Sequence, residues 1–145
     1  MIKFELVTLD GVKFSDEVHE VLLPTPDGQV AIFKDHMPLI SIASEGMIGV
    51  RRKPEYPDDM IEYFSTNGGV IELSDDTVRL LADEAAGEDE LDEADIKAAL
   101  ERAHNLRKEA KDQVSLEHAQ ATIDRSRTQL KIAELKKRSR RKSRS

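Results

Sequence analysis

The chain has 145 residues, of which 39% are hydrophobic and 35% charged, with no cysteine and a formal net charge of -7. That length supports one ordinary domain with an appendage and excludes a large two-domain enzyme with an interdomain cleft. Without cysteine there is no disulfide staple, thiolate nucleophile or sulfur-ligated zinc, which fits an intracellular location.

The opening "MIKFELVTLD" alternates, and no 18 apolar residues follow one another, so neither a signal peptide nor a membrane span is expected. Charge divides the chain unevenly. Residues 1–85 carry 7 Lys/Arg against 17 Asp/Glu, a balance of -10, whereas residues 86–145 carry 15 against 12, a balance of +3. The sequence therefore divides into a strand-rich region, 1–85, a helical region, 86–137, and a basic tail, 138–145.

In chain order, "IKFELVTL" sets Ile2, Phe4, Leu6 and Thr8 on one face, the period of two of a half-buried strand. Short runs follow at 17–24, 29–33, 39–43, 47–52, 60–65, 69–73 and 77–83. Turn residues separate them at Asp10-Gly11, Asp27-Gly28, Glu45-Gly46, Pro54 to Asp59, Asn67-Gly68-Gly69 and Ser74-Asp75-Asp76. Strands this short and this closely spaced predict an all-β sandwich or barrel, since helical crossovers would need a dozen or more residues between strands.

At Ala85 the period changes. Ile96, Ala99, Ala103, Leu106 and Ala110 recur at helical steps, with Asp92 as N-cap, Glu93 and Asp95 in the first turn and Arg107, Lys108 and Lys111 at the far end. After an interruption at 112–115, Leu116, Ala119, Ile123, Ser126, Leu130, Ala133 and Lys137 continue a stripe. It is narrow and alanine-rich, suited either to an antiparallel helical hairpin or to one long helix. Its stability alone is marginal, as suits a mobile element that exchanges packing partners.

Chemistry is sparse. No phosphate loop, metal-binding histidine pair or calcium loop is present, and His19, His36, His104 and His118 are irregularly spaced. His36 lies in "TPDGQVAIFKDHMPLI" without a nucleophile or cleft partner beside it. In "TIDRSRTQLKIAELKKRSRR", Asp124, Arg125, Arg127, Lys131 and Glu134 form a charge-laced solvent face. Alternatively, Arg127 and Arg102 form a phosphate clamp. The acidic body and the shortage of aromatic residues argue against nucleic acid.

These stretches, in this order, resemble the epsilon subunits of bacterial F-type ATP synthases, counterparts of the mitochondrial delta subunit. The resemblance rests on Pro24, Gly28, Ile32, His36, Pro38 and Leu39, then "GMIGVRR", "FSTNGGVIEL", "LADEA", "LDEADIKAALERA" and "LKIAELKKR". It implies a flattened sandwich of about ten short strands followed by a two-helix antiparallel hairpin. It also implies a non-catalytic rotor subunit in the central stalk, which couples proton or sodium flow to ATP synthesis. The sandwich would bind the gamma subunit and the c-ring. The helices would extend to the alpha and beta subunits and inhibit ATP hydrolysis, all at the cytoplasmic face of the bacterial membrane.

By position, Gly28 and Gln29 match the loop meeting the c-ring, with His36, Met37 and Pro38 near the gamma and c-ring contact. The family commonly has an acid where Gln29 stands. Asp92, Arg102, Asp124 and Arg127 match places in the nucleotide site of ATP-binding members. Asp95 stands where those members carry arginine, and Thr128 replaces alanine, so ATP binding is expected to be weak or absent and no other cofactor is implied. Lys136, Lys137 and Arg138 would form the inhibitory contact. Two competing readings are a β-domain adaptor with a coiled-coil arm and a small enzyme using His36 as acid or base.

Overall fold

The computed structural model describes the backbone of residues 1–144 and the side chains of residues 1–139, so most of the expected basic tail lies outside the described side chains. The first part is a sandwich of two five-stranded sheets, as expected. One sheet has the order β2-β1-β9-β8-β5, built from Gly11–Val18, Ile2–Thr8, Thr77–Ala82, Gly69–Ser74 and Leu39–Ala43. The other has the order β10-β7-β6-β3-β4, built from Ala85–Gly87, Glu62–Thr66, Gly46–Arg51, Glu20–Thr25 and Gly28–Ile32. All neighbours pair antiparallel except β1 and β9.

Alternation makes the core. Ile2, Phe4 and Leu6 of β1, Ile71 and Leu73 of β8, and Val78 and Leu80 of β9 face Val21, Leu23, Ile32, Ile48 and Val50 of the opposite sheet. Phe14 bridges the layers, 5.6 Å from the Phe4 ring and 5.7 Å from Phe64. The chain changes sheet after β2, β4, β5, β7 and β9 through short links, the first being His19 alone, whose N–H donates to the Arg51 carbonyl at 2.9 Å. That link divides the run expected at 17–24 between β2 and β3. β2 escapes pattern recognition because only Phe14 and Val18 of its eight residues are buried. At Gly69, φ is 159° and a Cβ would lie 2.0 Å from the Leu81 carbonyl oxygen, so only glycine fits between β5 and β9.

Two helices follow, α1 (Glu93–Glu109) and α2 (Gln113–Arg144). Asp92 caps α1 by accepting the Asp95 N–H at 3.1 Å. Asp112 caps α2 in the same way, accepting the Ser115 N–H at 2.7 Å, and that bond holds its carboxyl below the ordinary carboxylate value. With Ala110 extended between the helices, the chain turns back as a hairpin and does not continue as one helix. None of the helices among the described residues is long and apolar enough to cross a membrane.

The predicted stripe of α2 faces α1. Ala119, Ile123 and Ser126 are buried with Ile96 and Ala103, and at the far end Lys137 pairs with Glu93. Near the hairpin turn the stripes are exposed, Leu106 at 58% and Leu116 at 36%. A second stripe, Thr122, Arg125, Gln129, Ile132, Lys136 and Ser139, faces the sandwich: Arg125 pairs with Glu84, Lys136 with Asp89, and the Ser139 hydroxyl donates to the Asp59 carbonyl. Ile132 is its only large apolar member and is fully buried.

Candidate functional site

A row of exposed apolar residues is set by strand register. Ile42 of β5 lies beside Val70 of β8, Val70 beside Leu81 of β9, Leu81 beside Val7 of β1, and Val7 beside Val12 of β2. These five residues form one row across the whole outer face of the sheet, about 19 Å wide at the usual strand spacing. Ile42 is 66%, Val12 64% and Val70 46% exposed. The bulge between Leu6 and Val7 lets Val12 join the row while Phe14 stays in the core. The next row is different in kind: Ile40, Glu72, Arg79 and Glu5, with Arg79 on Glu5 at 2.9 Å and Lys3 at 3.3 Å. Arg79 first and Lys3 second hold the Glu5 carboxyl below its ordinary value.

The β3–β4 turn carries Gly28 and Gln29, both exposed, with Gly28 at φ 119°. Beside them lies a shallow recess of about 310 Å³ lined by Pro24, Thr25, Gly28, Gln29 and Met47. His36, Met37 and Pro38 fall in the link from β4 to β5 and are all exposed, Met37 at 78%. The link is pinned where Asp35, at φ 64°, donates its N–H to the Asp76 carboxylate at 2.8 Å. His36 Nδ1 donates to the Met37 carbonyl at 2.7 Å. Among the described residues, no three His, Asp or Glu side chains converge as a metal site.

Asp92 and Arg102 are exposed on α1, and Asp124 and Arg127 are exposed on α2, where Asp124 accepts from Gln120 at 2.9 Å. None of the four lines the cavity of about 460 Å³ that forms between hairpin and sandwich. Its wall holds Ser65, Thr66, Asn67, Ala99, Thr122, Arg125 and other residues. Its two cations are already paired, Lys13 with Glu90 at 3.2 Å and Arg125 with Glu84 at 2.7 Å, and Asp10 adds a third acid. Asp95 is exposed in the first turn of α1, and the Thr128 hydroxyl donates to the Asp124 carbonyl.

Lys136, Lys137 and Arg138 sit together at the far end of α2. Lys136 is held by Asp89 and Lys137 by Glu93, while Arg138 lines a cavity of about 450 Å³ with Asp58, Asp59, Glu88 and Tyr63. The chain's own carboxylates therefore occupy its basic end. Sequence reasoning missed Glu45 and Glu88 at the hairpin–sandwich contact and put Arg125 on a solvent face, whereas it pairs with Glu84 of the sandwich. Arg125 lies between the two motif positions, and only the helix phase set by docking distinguishes it.

Residues 1–88 match the family model described as the ATP synthase delta/epsilon chain beta-sandwich domain. The chain belongs to the ATP synthase delta/epsilon family. It is 33% identical over 142 residues to the ATP synthase epsilon chain of Chloroflexus aggregans, covering 98% of this chain and 99% of that one. It is 37% identical over 98 residues to the epsilon chain of Roseiflexus sp., covering 68% of this chain and 67% of that one. Its fold is similar to a chain in the Euglena gracilis mitochondrial ATP synthase OSCP/F1/c-ring structure. That match has a TM-score of 0.74 at 18% identity and covers 88% of this chain and 78% of that one.

A nucleotide in the hairpin–sandwich cavity would meet three acids and two cations already paired. We predict that millimolar ATP leaves the amide resonances of Asp92, Arg102, Asp124 and Arg127 unmoved; saturating shifts at micromolar ATP would contradict this.

Proposed function

We propose that the chain is the non-catalytic epsilon-type subunit of the central stalk in an F-type ATP synthase. Its sandwich is fixed to the gamma subunit and the c-ring, and its hairpin restrains ATP hydrolysis. The similarity to an ATP synthase epsilon chain across nearly the whole length carries this reading. Within it, the apolar row from Ile42 to Val12 suits a protein partner, because a contiguous exposed apolar strip on a rigid sheet favours docking. We assign that row, with Met37, to the gamma subunit, and the turn bearing Gly28 and Gln29 to the polar loops of the c-ring. His36 and Pro38 stand between these two surfaces and serve as contact residues. In this role the protein sits peripherally, at the cytoplasmic face of a bacterial membrane.

The hairpin has a separate task. Lys136, Lys137 and Arg138 exchange the chain's own acids for carboxylates on the alpha and beta subunits when the arm extends. Self-pairing thus competes with inhibition, and the competition is weak because exposed ion pairs contribute roughly 0 to 1 kcal/mol each.

Two outcomes test the two halves. Val70→Asp puts a charge inside the row without touching the core, and is expected to weaken capture of the gamma subunit at least about tenfold while the isolated chain stays folded. Undiminished capture would remove the row from the interface. Asp89→Asn frees Lys136 from its self-contact, so hydrolysis by the assembled enzyme should fall by up to a few-fold; unchanged or faster hydrolysis would contradict the exchange.

A further inference from the structure

We propose that Glu45 and Glu88 form a proton-operated latch that holds the helical arm against the sandwich and loosens as the pH rises. This deepens the regulatory role assigned to the arm and rests on that reading for its consequence, although the latch itself is a property of the isolated chain.

The two carboxyls mark the two ends of the polar stripe of α2. Glu45 lies in the link between β5 and β6, and its Oε1 is buried with no hydrogen-bond partner among the described residues. The charged groups facing it from α2 are Asp124, which repels a carboxylate, and Arg125, which attracts one. Arg125 is committed to Glu84 at 2.7 Å, so its compensation is shared. An ionised carboxylate oxygen buried without a donor is costly, whereas the neutral acid is much less so. Burial first and Asp124 second push the Glu45 carboxyl above its ordinary value, with Arg125 opposing.

Glu88 lies under the other end, in the wall of the cavity shared with Leu135, Lys136, Arg138 and Ser139 of α2 and with Asp58 and Asp59 of the neighbouring turn. Its Oε1 accepts the Tyr63 N–H at 2.8 Å. Burial raises its pKa most. Glu62 of β7 and the adjacent Asp89 add to the rise, while the Tyr63 N–H and Lys136 oppose it. The Tyr63 phenol, pushed up by the same burial, stays neutral throughout.

The sign follows from linkage. Each carboxyl binds its proton more tightly with the arm docked than with the arm released, because the covering by α2 is the largest cause of each rise; Asp124 also leaves Glu45 on release, whereas Glu62 and Asp89 stay beside Glu88 and the opposing Lys136 departs. Docking therefore has its full contribution below the ordinary carboxylate value of 4.5 and loses it as the pH rises through the raised values. Glu93 works in the other direction. Lys137 first and Lys97 second lower it to about 2, so the hairpin's own contact persists above 4.5 and fails only well below it. Between these limits, acid tightens the arm on the sandwich without opening the hairpin.

The chain has no cysteine, so Glu72→Cys and Glu134→Cys introduce unique sites on the outer sheet face and on α2 for a pair of spin labels. The docked-to-released ratio is read from the label separation, in enough urea to release half the arms at about pH 8. The ratio should rise towards about pH 5, by up to about tenfold per pH unit for each carboxyl titrating. In the Glu45→Gln/Glu88→Gln background, where each amide keeps an acceptor oxygen, the ratio should be higher at about pH 8 and nearly flat. A flat profile in the parent, or an equal slope in the double variant, overturns the latch. Should the double variant not fold, Asp124→Asn must raise the docked fraction at about pH 8, and no rise overturns the role of Glu45. Since the rotor is absent, either failure leaves the gamma-binding reading untouched.

Discussion

A single buried isoleucine in a polar row governs what the arm can do. Among the described residues, Ile132 is the one fully buried large apolar side chain that α2 sets against the sandwich, with Leu135 half-buried one turn on and Arg125, Gln129, Lys136 and Ser139 around it. Burying an isoleucine contributes roughly 1.5 to 3 kcal/mol, and each exposed ion pair beside it at most about 1. The sandwich, by contrast, closes over a continuous core from Ile2 to Leu80. One end of the chain is thus rigid, and the other is attached by an interaction small enough for a partner to replace. A switch between two packings requires that kind of near balance.

The same division separates the two surfaces. The row from Ile42 to Val12 is fixed by hydrogen-bonded register across five strands, so its residues cannot rearrange individually. It is a rigid apolar face. Among the described residues, the basic end of α2 is held by Asp89, Glu93 and the Asp59 carbonyl, contacts that other carboxylates can replace. Rigidity resides in the sheet, and exchangeable contacts in the helix.

Much of this was legible beforehand. Alternation in β1 and the Asp-Gly and Asn-Gly turns announced the sandwich, Asp92 announced the start of α1, and the stripe ending at Lys137 was the face that meets α1. β2 was not legible, because the bulge after Leu6 and its many polar residues hide its period. Nor was the docked face of α2, since a stripe of Thr122, Arg125, Gln129, Lys136 and Ser139 looks like a solvated surface until something packs on it. Glu45 was indistinguishable from the other acids; only its burial beneath α2 separates it from Asp75 or Glu72.

Hydrogen exchange on the full chain tests the central claim most directly. If the arm is held by Ile132, a half-buried Leu135 and a few ion pairs, amides across 119–135 exchange by an opening that leaves the sandwich folded, so their protection falls well below that of Leu6 and Leu80 in the core strands. Equal protection in helix and sheet would mean that arm and sandwich open only together, contradicting the account.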